Sequence, residues 1–459
     1  MGDGAGSVVP HRALGDESRD LVRRRRRAEA SLTVLAVAIT VFGYLYESIA
    51  MTGALPHGAA ELTVAQCLLP LSAHFAVRRY APRADPLILP LATLLTGLGL
   101  VLIHRLDSAY AARFHAAPAA PGQLVWGVLG VACFIAVLVV LKDHRRLQRY
   151  IFLTMALALV LLLAPAFCPG DTYGAKRWVF LGPVSLQPGE FVKIMIAVFF
   201  AGYLVTHRDA LALTGRRIWG VRLPPGRQFG PLLAVWILSL LVLIVERDLG
   251  TSLIFFGMFV VMLYVSTERT SWILFGLVMA CVGAFAVGSV EPHVHGRIVA
   301  WLHPFDIFLP ADQRPPGLIS DQSAQALLAM GSGGLTGTGL GRGHPELIGF
   351  AGRSDFILAA AGEELGLAGI MAILLLYALL VQRGMRTGLA LRDPFGKLLA
   401  VGLSTAIALQ VFVVAGGVMG LIPLTGKALP FLAQGGSALV ANWMLAALLI
   451  RVSDSRTAA

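Results

Sequence analysis

Residues 331–369, GSGGLTGTGLGRGHPELIGFAGRSDFILAAAGEELGLAG, begin as a glycine-rich loop and end as an apolar helix. Between the two parts lies Asp355, at the point where the chain enters a long apolar run. A carboxylate at a membrane boundary is costly to keep unless it has a function. The stretch therefore predicts a membrane-embedded fold and a candidate functional acid, and the rest of the chain can be interpreted as its scaffold.

The composition of the whole chain is typical of a membrane protein. Of its 459 residues, 57% are hydrophobic and 14% are charged, and the mean hydropathy is +0.75. A soluble domain has about 25% charged residues and could not bury this much apolar surface. Apolar runs of about 20 residues recur, which predicts an all-α polytopic membrane protein rather than a barrel of alternating strands.

Charge and cysteine content exclude other classes of protein. The net charge of +11 could indicate nucleic-acid binding, but cationic cytoplasmic loops explain it better, so we expect no nucleic-acid partner. The four cysteines are scattered and form no CxxC pair, which predicts neither a disulfide framework nor a zinc site.

About twelve segments meet the length criterion for a transmembrane helix. Residues 1–30 form a polar tail that ends in five consecutive arginines, and the loops on its side of the membrane are richer in Lys and Arg than the short loops on the other side. This asymmetry predicts cytoplasmic N- and C-termini. In chain order, the candidate spans are residues 32–51, 62–77, 86–104, 123–141, 149–166, 188–206, 229–247, 249–266, 272–290, 356–382, 396–422 and 436–452.

Residues 291–354 form a large predicted extracytoplasmic loop. The segment is far longer than most connections, which indicates a functional loop. Residues 320–330 are expected to form a short amphipathic helix on the membrane. The glycines that follow fit no GxGxxG register and no strand precedes them, so a nucleotide site is not predicted. They indicate either a flexible loop or a backbone that closely approaches a ligand.

Three charged positions elsewhere have two interpretations each. Glu190 and Lys193 are three residues apart, on one helical face, and are either a structural ion pair or the polar wall of a cavity. Asp248 lies in a short turn between two spans, and it is either a solvated turn residue or a functional residue. For the acid at the start of the following helix, spacing alone favours helix capping by Ser354 or Asp355 over catalysis by Asp355.

Several segments, in order, resemble the signatures of the SEDS family (shape, elongation, division and sporulation). The resemblance covers about residues 81–455, and the ten-helix core of the family implies that residues 31–80 add two N-terminal helices. The AQGGS variant and these extra helices resemble an actinobacterial RodA-type (elongation) member more than an FtsW-type (division) member. The segments are GAKRWVFLGPVSLQPGEFVKI, ERDLGTSLIF, RIVAWLHP, GSGGLTGTGLGRG, SDFILAAAGEELGLAG and GLIPLTGKALPFLAQGGSALVANW.

The resemblance implies a peptidoglycan glycosyltransferase of the bacterial cytoplasmic membrane. Such an enzyme is expected to polymerise lipid II, a polyprenyl-pyrophosphate disaccharide-peptide, with inversion, at the outer face of the membrane. It is expected to work among membrane lipids with a class B penicillin-binding protein. A division-type polymerase and a lipid II flippase are the alternatives, and no inverted repeat supports the flippase.

The same resemblance implies roles for individual residues. Asp355 matches the essential acid of the family and is the expected catalytic base. A divalent cation, magnesium or manganese, held partly by Asp355 is the one cofactor left open. The arginines expected to stabilise the leaving pyrophosphate are Arg177, Arg297, Arg342 and Arg353. The residues expected to bind substrate or to line its cavity are Arg177, Trp178, Glu190, Lys193, Asp248, Arg297, Glu363 and Lys427.

Overall fold

Helices dominate the computed structural model of the chain. The described residues are 11–55, 58–168, 177–182, 184–212, 217–218, 221–222, 233–238, 241, 248–290, 292–318 and 320–455. The helices are α1 His11–Thr52, α2 Ala59–Tyr80, α3 Ile88–Phe114, α4 Ala120–Val140, α5 Ile151–Phe167, α6 Pro188–Ala212, α7 Leu249–Thr267, α8 Ser271–Val290, α9 Pro292–Leu302, α10 Gln322–Gly333, α11 Ile357–Leu389, α12 Pro394–Val418 and α13 Gly436–Ser455. Two short antiparallel hairpins pair β1 Val179–Leu181 with β2 Val184–Leu186, and β3 Arg217–Ile218 with β4 Val221–Arg222.

The predicted polytopic helical fold is confirmed. In the part of the chain that the structure describes, ten helices are long and apolar enough to cross a membrane. Helix α8 corresponds to the predicted span 272–290, although its described apolar part, Ser271–Ala286, is shorter than the length criterion. The predicted span 229–247 lies largely outside the described residues, so the count of twelve remains approximate.

Small residues let the central helices approach one another closely. A Cβ atom at Gly384 of α11 would lie 2.1 Å from Ser404 Oγ of α12. A Cβ atom at Gly99 of α3 would lie 2.1 Å from the carbonyl oxygen of Leu432, just before α13. Because lipid tails are as apolar as leucine, close packing of this kind is what holds membrane helices together.

The first two helices pack on the outside of this bundle. Helix α1 packs against α3, and α2 packs against α4. His104 Nδ1 of α3 lies 3.0 Å from Glu47 Oε2 of α1, and His74 Nδ1 of α2 lies 2.9 Å from Glu29 Oε1 of α1. Helix α1 includes residues 11–30, so the predicted tail is largely helical, while the predicted domain boundaries stay a prediction.

The described part of the predicted extracytoplasmic loop, residues 292–318 and 320–354, is folded rather than extended. It contains α9 and α10, and α10 confirms the helix expected at residues 320–330. Helix α10 packs against α11.

The glycine-rich run lies against a break in α11. Gly366, inside α11, has φ 68°. The amide of Thr338 donates to the carbonyl of Glu363 at 3.0 Å, and the amide of Leu367 donates to the carbonyl of Gly334 at 2.9 Å. The close backbone approach that the glycines permit is therefore to α11.

Candidate functional site

A network of four buried charges lies at the N-terminal ends of α6 and α7. Lys193 Nζ donates to Glu190 Oε2 at 2.7 Å, which confirms the predicted pairing. Lys427, from the segment between α12 and α13, places Nζ 3.4 Å from Glu190 Oε1 and 3.1 Å from Asp248 Oδ2. Two carboxylates and two ammonium groups thus alternate and balance, which buried charges require. Burial would lower the pKa of Lys427, but Asp248 and Glu190 raise it, so this ammonium group stays charged.

Asp248 begins α7 and is not a solvated turn residue. Its carboxylate accepts hydrogen bonds from Thr251 N at 3.0 Å and from Thr251 Oγ1 at 2.8 Å. The side chain is buried. Burial alone would raise the pKa of Asp248, but Lys427 and Arg177, together with the two hydrogen bonds, lower it to about 2. The solvation interpretation is therefore wrong.

Lys193 has two further partners that its spacing from Glu190 does not predict. Its Nζ donates to Gln410 Oε1 of α12 at 2.8 Å and to Asn442 Oδ1 of α13 at 2.9 Å. One lysine therefore connects α6, α12 and α13. The available signal was an amide side chain inside an apolar span, which is rare in membrane helices without a function or partner. Asn442 is also the single asparagine of the chain.

Two arginines bind adjacent carbonyl groups beside this network. Arg177 Nη1 donates to the carbonyl of Gly426 at 2.8 Å and lies 3.9 Å from Asp248 Oδ2. Arg297 Nη1, from α9, donates to the carbonyl of Thr425 at 2.8 Å. Gly426 has φ +69°, and a Cβ atom there would lie 2.9 Å from Arg297 Nη2, so glycine is needed at this position.

Asp355 lies in the turn that precedes α11, and it is half-buried. The N-cap residue of α11 is Phe356, and no side-chain hydrogen bond caps the helix, so the capping interpretation is wrong. Burial raises the pKa of Asp355, and the charges of Arg177 and Arg297 lower it only in part. The structure thus brings one carboxyl group and two guanidinium groups together, as predicted.

The other predicted arginines lie elsewhere. Arg353 is buried, and its Nη1 donates to Asp107 Oδ1 of α3. Arg342 is exposed on the glycine-rich run. Of the four candidate arginines, Arg177 and Arg297 are the two whose charges act on Asp355, and stabilisation of the leaving group stays a prediction.

Glu363 joins a second buried cluster near the N-terminal end of α11. Its Oε1 accepts a hydrogen bond from the amide of His344 at 2.7 Å. The neighbouring Glu364 Oε1 accepts from Arg105 Nε of α3 at 2.6 Å. These contacts fasten the large loop to α3 and α11. The expected contact of Glu363 with substrate stays a prediction. Trp178 follows Arg177 directly and is half-buried.

A groove of about 380 Å³ opens beside Asp355. Arg297 and Trp301 of α9 line one part of it, and Trp301 Nε1 donates to the carbonyl of Gly420 at 2.7 Å. Gln322 of α10 and Phe356, the residue after Asp355, line other parts. The volume lies within the range of about 300–1,000 Å³ that is common for ligand sites.

Comparison with known proteins identifies the family. The family model FTSW_RODA_SPOVE, described as "Cell cycle protein", matches residues 86–458. The chain belongs to this family. This agrees with the SEDS resemblance that the ordered motifs predict.

Relatives within the family differ in their similarity to the chain. The protein named peptidoglycan glycosyltransferase RodA in Mycobacterium tuberculosis is 43% identical over 433 residues, which cover 94% of this chain and 90% of the relative. RodA of Mycobacterium leprae is 44% identical over 385 residues, which cover 84% and 81%. The probable peptidoglycan glycosyltransferase FtsW of Geobacter metallireducens is 32% identical over 379 residues, which cover 81% and 95%. The mycobacterial similarity supports an actinobacterial RodA-like member.

Solved structures share the fold. A chain of a peptidoglycan synthase complex superposes with a TM-score of 0.61 at 23% identity, and the match covers 81% of this chain and 98% of that chain. The rod shape determining protein RodA of Thermus thermophilus superposes with a TM-score of 0.55 at 22% identity and covers 81% and 97%.

The described residues around Asp355 do not by themselves form a cation site. Among the described residues, no group of three or more His, Cys, Asp or Glu side chains could hold a metal ion. The charges that act most strongly on Asp355 are the guanidinium groups of Arg177 and Arg297, which oppose a bound cation. A magnesium or manganese ion held partly by Asp355, which the sequence leaves open, stays a prediction.

Proposed function

We propose that the chain is a peptidoglycan glycosyltransferase that polymerises lipid II at the outer face of the cytoplasmic membrane, for cell elongation. Family membership and the 43% identity to mycobacterial RodA support the activity and the elongation type. The observation that carries the proposal is Asp355 beside Arg177 and Arg297. Transfer of a glycosyl group from a pyrophosphate donor requires both a base and positive charge for the leaving group.

Asp355 is the proposed base. Its carboxylate accepts the proton of the acceptor sugar's 4-hydroxyl group as that oxygen attacks the anomeric carbon of the donor. The bond from this carbon to the pyrophosphate oxygen breaks, and its electron pair leaves with the pyrophosphate. Attack from the opposite face inverts an α-linked donor into a β-linked glycan. The raised pKa of Asp355 makes it a stronger base than an ordinary aspartate.

Arg177 and Arg297 are the proposed cations for the leaving group. A guanidinium group presents a fork of N–H donors that matches phosphate oxygens. One donor of each arginine is already bound to the carbonyl of Gly426 or Thr425, which fixes the orientation of the remaining donors. Such pre-organised donors stabilise the charge that develops in the transition state.

The four-charge network of Glu190, Lys193, Asp248 and Lys427 is the proposed support of this site. Lys427 follows the two carbonyl groups that hold the arginines, and its ammonium group is anchored by Asp248 and Glu190. The network therefore positions the segment of residues 425–427 without adding net charge near the substrate.

The same proposal includes partners and orientation. We propose that lipid II binds in the groove beside the large loop. A class B penicillin-binding protein lies beside the chain, and both termini are in the cytoplasm. The shared fold with a chain of a peptidoglycan synthase complex is consistent with such a partner.

Asp355→Asn tests the proposed activity. In lipid nanodiscs with lipid II and the partner, the unaltered protein should produce glycan strands, and Asp355→Asn should reduce the rate at least about 100-fold, since general-base catalysis contributes about 10²–10⁴-fold. Asp312→Asn, an exposed acid of the same loop, is the matched control and should polymerise normally. Normal polymerisation by Asp355→Asn would disprove the role of the base.

The flippase alternative has a separate readout. Labelled lipid II that crosses liposome membranes without forming polymer, in the presence of the partner, would favour a transporter over a polymerase.

A further inference from the structure

Arg353 lies two residues before Asp355 but faces a different set of groups. Its guanidinium group is buried, pairs with Asp107 of α3, and lies over the ring of Tyr110, with Cζ 4.9 Å from the ring centroid. Phe350 contacts the same guanidinium group, with Cζ 5.7 Å from its ring centroid. Arg353 is therefore enclosed by protein groups.

Asp107 connects three parts of the fold. One carboxylate oxygen accepts the hydrogen bond of Arg353. The other oxygen accepts hydrogen bonds from the amides of Ala119 and Ala120 at 2.7 and 2.6 Å. These amides begin α4, where a negative charge is also favoured by the helix dipole. A single carboxylate thus joins α3, the start of α4 and the turn before α11.

The backbone of this turn is held from both sides. The carbonyl of Arg353 accepts a hydrogen bond from the amide of Gln434 at 2.8 Å, and Tyr110 Oη donates to the carbonyl of Gly349. Gly352 fits beneath Tyr110, because a Cβ atom there would lie 2.8 Å from Tyr110 Oη. Residues just before Asp355 are therefore fixed to α3 and to the segment before α13.

We propose that the buried Asp107–Arg353 ion pair is a positioning device, which holds the turn carrying Asp355 at its working distance from Arg177 and Arg297. Neither Asp107 nor Arg353 touches the substrate. The inference rests on the proposed role of Asp355 as base. A base displaced by about 1 Å loses roughly 100-fold in rate, so a clamp on the adjacent backbone has a direct kinetic effect.

Arg353→Lys is the decisive variant. Lysine keeps the charge near Asp107, so the protein should fold, but it loses the planar fork and the stacking on Tyr110. In the nanodisc assay with lipid II and the partner, we expect kcat to fall about 10-fold, with KM for lipid II changed less than about 3-fold. Asp107→Asn should lower kcat further, because it also leaves Arg353 without its counter-charge.

An ion pair made by α11 itself is the matched control. Arg383, near the other end of α11, pairs with Asp85, and its Nη2 lies 2.6 Å from Asp85 Oδ2. Roughly 40 Å of helix separates it from Arg353, at 1.5 Å per residue. Arg383→Lys should leave kcat and KM unchanged, while the melting temperatures of both Lys variants report any general loss of folding.

The pH profile of kcat shows whether Arg353 acts by positioning Asp355 or by changing its pKa. Because Arg353→Lys retains the positive charge, the acidic limb of the kcat profile should stay where the unaltered protein has it. A shifted limb, a loss confined to KM, or a normal kcat for both Arg353→Lys and Asp107→Asn would overturn the proposal.

Asp355→Asn, measured in the same assay, distinguishes failure of the proposed base from failure of the proposed positioning pair. If Asp355→Asn polymerises normally, the proposed base fails and the positioning role fails with it. If Asp355→Asn is inactive while both Arg353→Lys and Asp107→Asn behave like the unaltered protein, the positioning role alone is wrong.

Discussion

At the scale of single residues, the site contains two kinds of charged group. One kind is neutralised in buried ion pairs, and the other is available for the proposed reaction. Glu190, Lys193, Asp248 and Lys427 form contacts of 2.7–3.4 Å with one another and balance to zero. Asp355 has a raised pKa instead, because burial outweighs the attraction of Arg177 and Arg297. A group whose environment opposes its charge is a better proton acceptor than one locked in ion pairs.

The pH dependence of the reaction follows from this difference. A base acts in its ionised form, so the rate should rise as the pH rises through the raised pKa of Asp355 and fall below it. Arg297→Gln removes a charge that lowers this pKa, so the acidic limb of the kcat profile should move to higher pH. Arg342→Gln, on the exposed part of the loop, is the control and should not move the limb. An unmoved limb in Arg297→Gln would contradict the proposed pairing.

Gly337 provides a prediction about stability at the same scale. It has φ +83°, and a Cβ atom there would lie 2.1 Å from the carbonyl oxygen of Glu364. Gly337→Ala should lower the free energy of unfolding by at least about 1–2 kcal/mol, the cost of a left-handed alanine before any clash. Gly331→Ala, in α10 with nothing within 4 Å of the added atom, should not destabilise. Equal melting temperatures for the two variants would contradict the close approach.

At the scale of helices and loops, local sequence patterns predicted contacts between residues that are close in sequence. They did not predict contacts between distant segments. The Glu190–Lys193 pair follows from a spacing of three residues, and the sequence predicted it. The contacts of Lys193 with Gln410 and Asn442 span 217 and 249 positions, and no local pattern encodes which distant helix a side chain meets. The break of α11 at Gly366 was missed for the same reason, since its partner is a loop about 30 residues earlier.

The docking of α1 on α3 depends on one such distant contact. A Cβ atom at Gly97 of α3 would lie 2.4 Å from the side chain of Thr40 in α1. Gly97→Leu should therefore push α1 away and lower the melting temperature in detergent. Gly122→Leu, in α4 with nothing within 4 Å, is the matched control and should melt like the unaltered protein. A normal melting temperature for Gly97→Leu would show that α1 is not held at this crossing.

At the scale of the whole molecule, function depends on which face of the membrane carries the groove. The groove, Asp355 and both arginines lie with the large loop of residues 291–354. The basic residues Lys142, Arg145 and Arg146 lie on the loop between α4 and α5, at the opposite ends of the helices. The positive-inside rule predicts that this basic loop is cytoplasmic and that the groove lies outside, where the proposed polymerisation would take place.

Cysteine labelling tests this orientation directly. In a background without the four native cysteines, Asp312→Cys in the large loop should react with a membrane-impermeant maleimide in intact cells. Arg146→Cys should react only after the membrane is permeabilised. Both positions are exposed, so accessibility to the reagent depends on the side of the membrane and not on burial. The reverse labelling pattern would place Asp355 in the cytoplasm. Lipid II polymerisation at the outer face would then be impossible, whatever the chemistry of the site.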